Sequence, residues 1–276
     1  MVKGKLNLRA SLAAVGIGFW LTMAGGVSAG PGGGERIIGG NVANPSDWPF
    51  AAAITTPSGS QFCGGTVISS DAVLTAAHCM VDDFGDPANP SSIRVVTGRP
   101  DLTDEGSGQE LQVDDVFVHR QYLRKFRHDV AVIRLSDPTT AAPAVLATEE
   151  EDESATEVGD ELRVAGWGST KRAGGAGSDV LLEVATFVTK TRKCERSFTF
   201  FQASEEICTF GEPMGENRTS SCYGDSGGPL IADTLVGARL VGAVSYGGIR
   251  CGVKDPTVYA SVAANLGFIT NKAGLP

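Results

Sequence analysis

From position 50 to position 245 the apolar residues come in short runs, each bounded within a few positions by Gly, Pro, Asn or Asp. The runs fall at 50–54, 66–69, 93–97, 111–119, 130–135, 162–165, 181–189 and 240–245. Short strands at this spacing argue for an all-β chain built as antiparallel barrels or sandwiches. Helical character is convincing only at 261–272, near the end, and Gly267 weakens it there. With 276 residues, 42% hydrophobic and 20% charged, the chain has apolar material for one large domain or two small ones. That balance excludes a disordered protein.

The first 36 residues read differently. Lys3, Lys5 and Arg9 precede an apolar stretch at 12–23 that ends in Val27-Ser28-Ala29, and no further charge appears until Glu35. This has the form of a secretory signal peptide over 1–29, cleaved after Ala29. The competing reading is a membrane anchor, against which stand the shortness of the run and its interruption by Gly16, Gly18, Gly25 and Gly26. Residues 30–36 form a glycine-rich tether that meets Ile37-Ile38-Gly39-Gly40 abruptly, so Arg36 is expected to be a processing site and 30–36 an activation propeptide. The product would be secreted and extracellular, with no membrane association once the leader is gone.

The formal net charge is −9; residues 1–36 hold four of the 23 basic and one of the 32 acidic side chains, so without them it becomes −12. Such a surface repels nucleic acid and anionic membranes and serves solubility. Much of the acid lies at 148–161, where Glu149-Glu150-Glu151-Asp152-Glu153 predicts a solvated loop between two halves, with their boundary near 140–160. Six cysteines in an exported chain imply disulfides in oxidising surroundings, though six allow fifteen connectivities. The alternative, a zinc site, has neither a Cys-x-x-Cys nor more than three histidines to draw on. No metal and no cofactor is expected.

Chemistry concentrates in Ser221-Cys222-Tyr223-Gly224-Asp225-Ser226-Gly227-Gly228-Pro229-Leu230, where glycines let backbone N–H groups approach negative charge developing beside one serine. A serine hydroxyl needs a base, and the base needs a third group to fix its tautomer. His78 in Leu74-Thr75-Ala76-Ala77-His78-Cys79 is the candidate base, for His119 and His128 lack its setting. Asp129 stands at the mouth of the apolar run 130–135, where a lone carboxylate would be costly to bury, and His78 is its natural partner.

These motifs, in this order, resemble the trypsin/chymotrypsin family of serine proteases from Ile37 to the C-terminus. The resemblance implies two packed six-stranded antiparallel β-barrels with a C-terminal helix, within one protease domain over 37–276, and an active site in the cleft between the barrels. It implies Ser226 as nucleophile, His78 as base, Asp129 as acid and Ser245 as hydrogen-bond support for that acid. The oxyanion would rest on the N–H groups of Gly224 and Ser226. Disulfides Cys63–Cys79, Cys194–Cys208 and Cys222–Cys251 follow from the same resemblance. Cleavage after Arg36 would free the Ile37 amine to pair with Asp225 and turn a zymogen into enzyme.

For the substrate pocket the resemblance points to Ser220 as floor, Gly247 and Thr257 as walls and Tyr223 at the rim. A floor without a carboxylate disfavours lysine or arginine before the scissile bond, and Thr257 makes the pocket shallow, so small to medium apolar residues are expected. Such an enzyme would not process its own Arg36, so a trypsin-like activating protease is an expected partner. Polypeptide substrates and protein inhibitors complete the expected partners of a monomeric enzyme. In the loop 98–110, Arg99 takes the place of a first acidic calcium ligand. Asn217-Arg218-Thr219 fits a glycosylation acceptor, read as chance. Two rival readings remain open: a catalytically silent homologue serving as a binding module, and an esterase.

Overall fold

The computed structural model describes residues 37–276 apart from residue 83. The leader and tether expected at 1–36 lie outside the described residues. Two closed barrels account for most of the strands. In the first, β1 (Ala51–Thr55), β2 (Gln61–Ser69), β3 (Ala72–Thr75), β4 (Arg94–Thr97), β5 (Gln109–Val118) and β6 (Ala131–Leu135) run in the order β1-β2-β3-β6-β5-β4. Pairing of β1 with β4, Ala53 opposite Val96, closes it.

The second barrel is built from β7 (Glu161–Gly166), β8 (Leu182–Val188), β9 (Glu206–Gly211), β10 (Pro229–Thr234), β11 (Gly237–Gly247) and β12 (Thr257–Ser261). Their order is β8-β9-β12-β11-β10-β7, and β7 returns to β8 with Val164 opposite Val184. Every neighbouring pair is antiparallel. Closure removes the exposed edges that would otherwise template aggregation.

The side-chain pattern explains the closure. Along β8 the residues Leu182, Val184, Thr186 and Val188 are buried while those between them are half-exposed, the period-two alternation of a strand with one face in a core. All five residues of β1 are buried, and three are alanines, so small side chains fill a place where both faces are covered. The expected runs at 50–54, 66–69, 111–119, 130–135, 162–165 and 181–189 all lie on or across these strands.

Four strands escaped the sequence reading: β3, β9, β10 and β12. Each is four to six residues long, and β9 and β10 begin on Glu206 and Pro229. The acidic stretch also differs from expectation. Glu149–Ala155 is a helix, capped by a reciprocal pair in which Thr148 accepts from the Glu151 N–H and Glu151 accepts from the Thr148 N–H. Acidic side chains in its first turn oppose the helix dipole favourably, which tolerates the charge density that suggested a loop. Glu151 also receives Arg239 at 2.8 Å, and burial together with Glu153 pushes the Asp152 carboxyl up to about 6. Near the C-terminus one 3-10 turn, Ala263–Asn265, leads into the α-helix Leu266–Ala273, ended by Gly274 in the left-handed region at φ 67°.

Candidate active site

β3 ends at Thr75 and runs into a single 3-10 turn, Ala77–Met80, that carries His78. The Cys63–Cys79 disulfide ties this turn to β2. Asp129 lies just before β6 and is 9% exposed. His78 reaches it twice: the backbone N–H donates to Oδ1 at 2.9 Å, and Nδ1 lies 2.8 Å from Oδ2. Ser245, buried on β11, donates its hydroxyl to the same Oδ2 at 2.5 Å. One carboxylate from the first barrel is thus held by side chains from both.

The electrostatics follow from that geometry. Burial works against the ionised Asp129, but the charge of His78 and the donated hydrogen bonds outweigh it and hold the carboxyl below its ordinary value. Burial likewise works against a charged His78, yet the charge of Asp129 and the bond to it hold the imidazole above its usual value. Because Nδ1 faces the carboxylate, Nε2 is left as the nitrogen able to accept a proton.

Ser226 lies on the turn leading to β10 and lines, with His78, an open cleft of about 840 Å³. No hydrogen bond joins the Ser226 hydroxyl to His78; nucleophile and base often tighten only around substrate. The turn itself is held closely. Gly64 of β2 donates to the Ser226 carbonyl at 2.7 Å, Gly227 donates to Val244 at 2.7 Å, and Gly228 to Asp225 at 2.9 Å. Gly227 has φ 79°, and a Cβ there would fall 2.1 Å from Thr75 Oγ1, so only glycine fits. The N–H groups of Gly224 and Ser226 donate to no group among the described residues.

Asp225, next to that serine, is fully buried. Gly168 donates to its Oδ1 and Cys222 to its Oδ2, both at 2.8 Å. No cationic side chain among the described residues pairs with it, and burial, only partly opposed by the two N–H donors, pushes its pKa up to about 7. Ile37 is fully buried in the core of the second barrel, and Ile38 bridges to Ser220, whose N–H donates to the Ile38 carbonyl at 3.1 Å.

The expected pocket residues share the cleft. Ser220 is 6% exposed; its hydroxyl donates to the Ser221 carbonyl at 2.7 Å and lies 3.2 Å from Thr257 Oγ1. Gly247 on β11 stands opposite Thr257 on β12. Tyr223 is half-exposed and donates to the Ile249 carbonyl at 2.9 Å. Asp255, which sequence reasoning passed over, also lines this cleft. All three disulfides pair as the resemblance implied. Away from the cleft, Arg99 donates to Ser107 within the loop 98–110, and Asn217 is half-buried in a short hairpin.

Other residues that the sequence left unremarked support the site. Gln61 donates to the Gly224 carbonyl at 2.8 Å, holding the peptide that lies between the Gly224 and Ser226 N–H groups. Gly166 and Gly168 make room for Asp225, since a Cβ on either would lie 2.2 or 2.5 Å from its carboxylate. Phe126 and His128 take left-handed φ values of 53° and 56° just ahead of Asp129, a conformation costly for residues with side chains. The Arg127–Glu205 ion pair and the His128–Asn265 hydrogen bond, 2.9 Å, hold that segment against the second barrel and the C-terminal helix. The contacts of Gln61, Gly166, Gly168, Arg127 and His128 each cross more than fifty residues, invisible to a local motif.

Comparison with known proteins gives two findings. A family model described as Trypsin matches residues 37–269. A curated protein named Trypsin from Saccharopolyspora erythraea is 34% identical over 229 residues, covering 83% of this chain and 94% of that protein.

Proposed function

The chain belongs to the trypsin family and is a serine endopeptidase, and from that premise we propose that it is secreted, made as a zymogen and activated by cleavage after Arg36. Ser226 is the nucleophile. His78 takes its proton as the hydroxyl attacks a peptide carbonyl, then returns it to the departing amine, while Asp129 stabilises the imidazolium and Ser245 steadies Asp129. The tetrahedral oxyanion is received by the N–H groups of Gly224 and Ser226, each such donor contributing on the order of 3 kcal/mol to the transition state. Water then hydrolyses the acyl-enzyme by the same proton path in reverse.

The observation that best supports this reading is the His78–Asp129 pair, 2.8 Å apart and facing the cleft that Ser226 lines. Activation rests on Asp225. A buried carboxylate that bonds, among the described residues, to two backbone N–H groups is short of a cation, and the Ile37 amine released by cleavage would supply one. The activating enzyme cuts after arginine, whereas this one favours small to medium apolar residues, which fit a cleft whose floor is the neutral Ser220 and whose wall carries Thr257. Stoichiometric labelling of Ser226 by an organophosphonate after cleavage at Arg36 tests the reading; a processed protein that resists labelling overturns it and leaves the fold serving as a binding module.

A further inference from the structure

The loop between β7 and β8 carries Arg172, which neither the barrels nor the reacting groups use. Its Nη1 donates to two backbone carbonyls at once, Arg218 at 2.9 Å and Cys251 at 2.8 Å. Its own carbonyl accepts from the Cys251 N–H at 2.9 Å, and the Arg218 N–H donates to Gly252 at 2.7 Å. Three segments far apart in sequence therefore meet at one guanidinium.

Two of them frame the cleft. Arg218 stands two residues before Ser220, and Cys251 is bound through its disulfide to Cys222, beside Tyr223. Gly252 adopts φ 64°, and a Cβ there would fall 2.7 Å from Arg172 Nη1 and 2.3 Å from the Arg218 carbonyl. A glycine is thus required for the guanidinium to reach its seat. No carboxylate among the described residues forms an ion pair with Arg172, and burial, together with nearby Arg250, works against its charge. The negative ends of carbonyl dipoles are what face the cation.

We propose that Arg172 is a positioning residue for the substrate pocket, a built-in cation that fixes the floor segment leading to Ser220 and the rim segment at Cys251–Gly252 in one arrangement. The proposal rests on the reading of Ser220, Tyr223 and Thr257 as the pocket. Substrates that must seat a side chain there depend on Arg172; a small acylating or phosphorylating reagent that reacts with Ser226 without filling the pocket depends on it far less. Guanidinium ion, which has the same planar donor geometry, is able to occupy the seat emptied by truncation.

The test compares the processed wild-type enzyme with Arg172→Ala, measuring KM and kcat on a peptide substrate, the rate of Ser226 labelling by a small dialkyl phosphofluoridate, and the response of both to guanidinium chloride below denaturing concentrations. In Arg172→Ala, KM is expected to rise about tenfold or more, well beyond any loss in labelling rate, and guanidinium should restore it in the variant and not improve the wild type. An unchanged KM, or parallel losses in KM and labelling with no rescue, overturns the proposal. Should Arg172→Ala fail to fold, Arg172→Lys keeps the charge but lacks the planar fork, and a wild-type KM in that variant overturns it equally. Failure of the wild type itself to be labelled strikes the active-site reading instead.

Discussion

Gly64 donates its backbone N–H to the carbonyl of Ser226 at 2.7 Å, a hydrogen bond that passes from a strand of the first barrel to the turn leading into the second. The approach is possible because neither Gly64 nor Gly228 has a side chain: a Cβ on Gly64 would lie 3.0 Å from Gly228 Cα and 3.1 Å from its nitrogen. Gly64→Ala must therefore move the turn by a few tenths of an ångström. Since small misplacements of reacting groups are amplified in rate, kcat is expected to fall about tenfold with KM little changed. Steady-state kinetics on the processed variant checks this; wild-type kcat would show that the seam does not position Ser226.

The His78–Asp129 pair makes a second prediction, about pH. The imidazole is held above its ordinary value chiefly because Asp129 supplies charge and a hydrogen bond that outweigh burial. A base works only when unprotonated, so kcat/KM should fall as pH drops through that raised value. In Asp129→Asn the raising influence is gone while burial remains, which moves the acid limb to lower pH. The rate at the optimum should also fall by about 10⁴-fold, because an amide no longer holds the tautomer that leaves Nε2 free. A pH profile whose acid limb stays in place would mean that another group controls it.

How far this could be read beforehand depended on the kind of contact. Ser226, His78 and Asp129 each sit in a local signature, so the residues were legible before any of them had neighbours in space. The barrels were legible wherever an apolar run marks a strand, at β1, β2, β4, β5, β6, β7, β8 and β11. They were not at β9, where Glu206 lines the cleft and accepts from the Tyr246 hydroxyl at 3.0 Å and the Gln202 N–H at 2.7 Å, so that a polar residue occupies the start of a strand. The helix Glu149–Ala155 was hidden because charge density outweighed its cap in the reading, although Thr148 and Glu151 stand at capping-box spacing. Gln61 and Arg172 act on backbone carbonyls far along the chain and Gly168 acts through its own backbone N–H, and contacts made with backbone leave no residue pattern.

Asp225 gives the third prediction. In the unprocessed chain its carboxyl is pushed up to about 7, against 3.8 for an unperturbed aspartate, so the folded state binds its proton more tightly than the unfolded state does. Between those values the folded protein therefore holds more proton, and stability declines as pH rises, by up to about 4 kcal/mol from this group. Thermal melts of unprocessed Ser226→Ala should show a loss between pH 5 and pH 8 that Asp225→Asn abolishes. After cleavage at Arg36 the Ile37 amine is available as counter-ion, so the processed form should lose much less. On the proposed activation, pairing with Asp225 would favour the protonated amine, so this stabilisation should fade at alkaline pH as the amine loses its proton. Identical pH dependence in processed and unprocessed forms would break the link between Asp225 and activation.

The fourth prediction concerns what enters the cleft. Ser220 Oγ lies 3.2 Å from Thr257 Oγ1, and on the proposed pocket assignment the two hydroxyls would close it from floor and wall. A lysine or arginine side chain reaching this floor meets hydroxyls and a carbonyl already engaged by Ser220, a desolvated charge without a counter-charge. Digestion of a mixed peptide library should therefore show cuts after small and medium apolar residues. Thr257→Gly removes the wall, and since each methylene-sized change in a pocket alters selectivity by about 10- to 200-fold, cleavage after phenylalanine relative to alanine should rise by at least tenfold. Asp255 supplies the internal control, for it lines the cleft together with Asp129 and Glu206 and stands two residues from Thr257. If wild-type enzyme cuts mainly after lysine or arginine and Asp255→Asn abolishes that preference, the charge recognised by the pocket comes from its wall, and the apolar assignment for Ser220 and Thr257 falls.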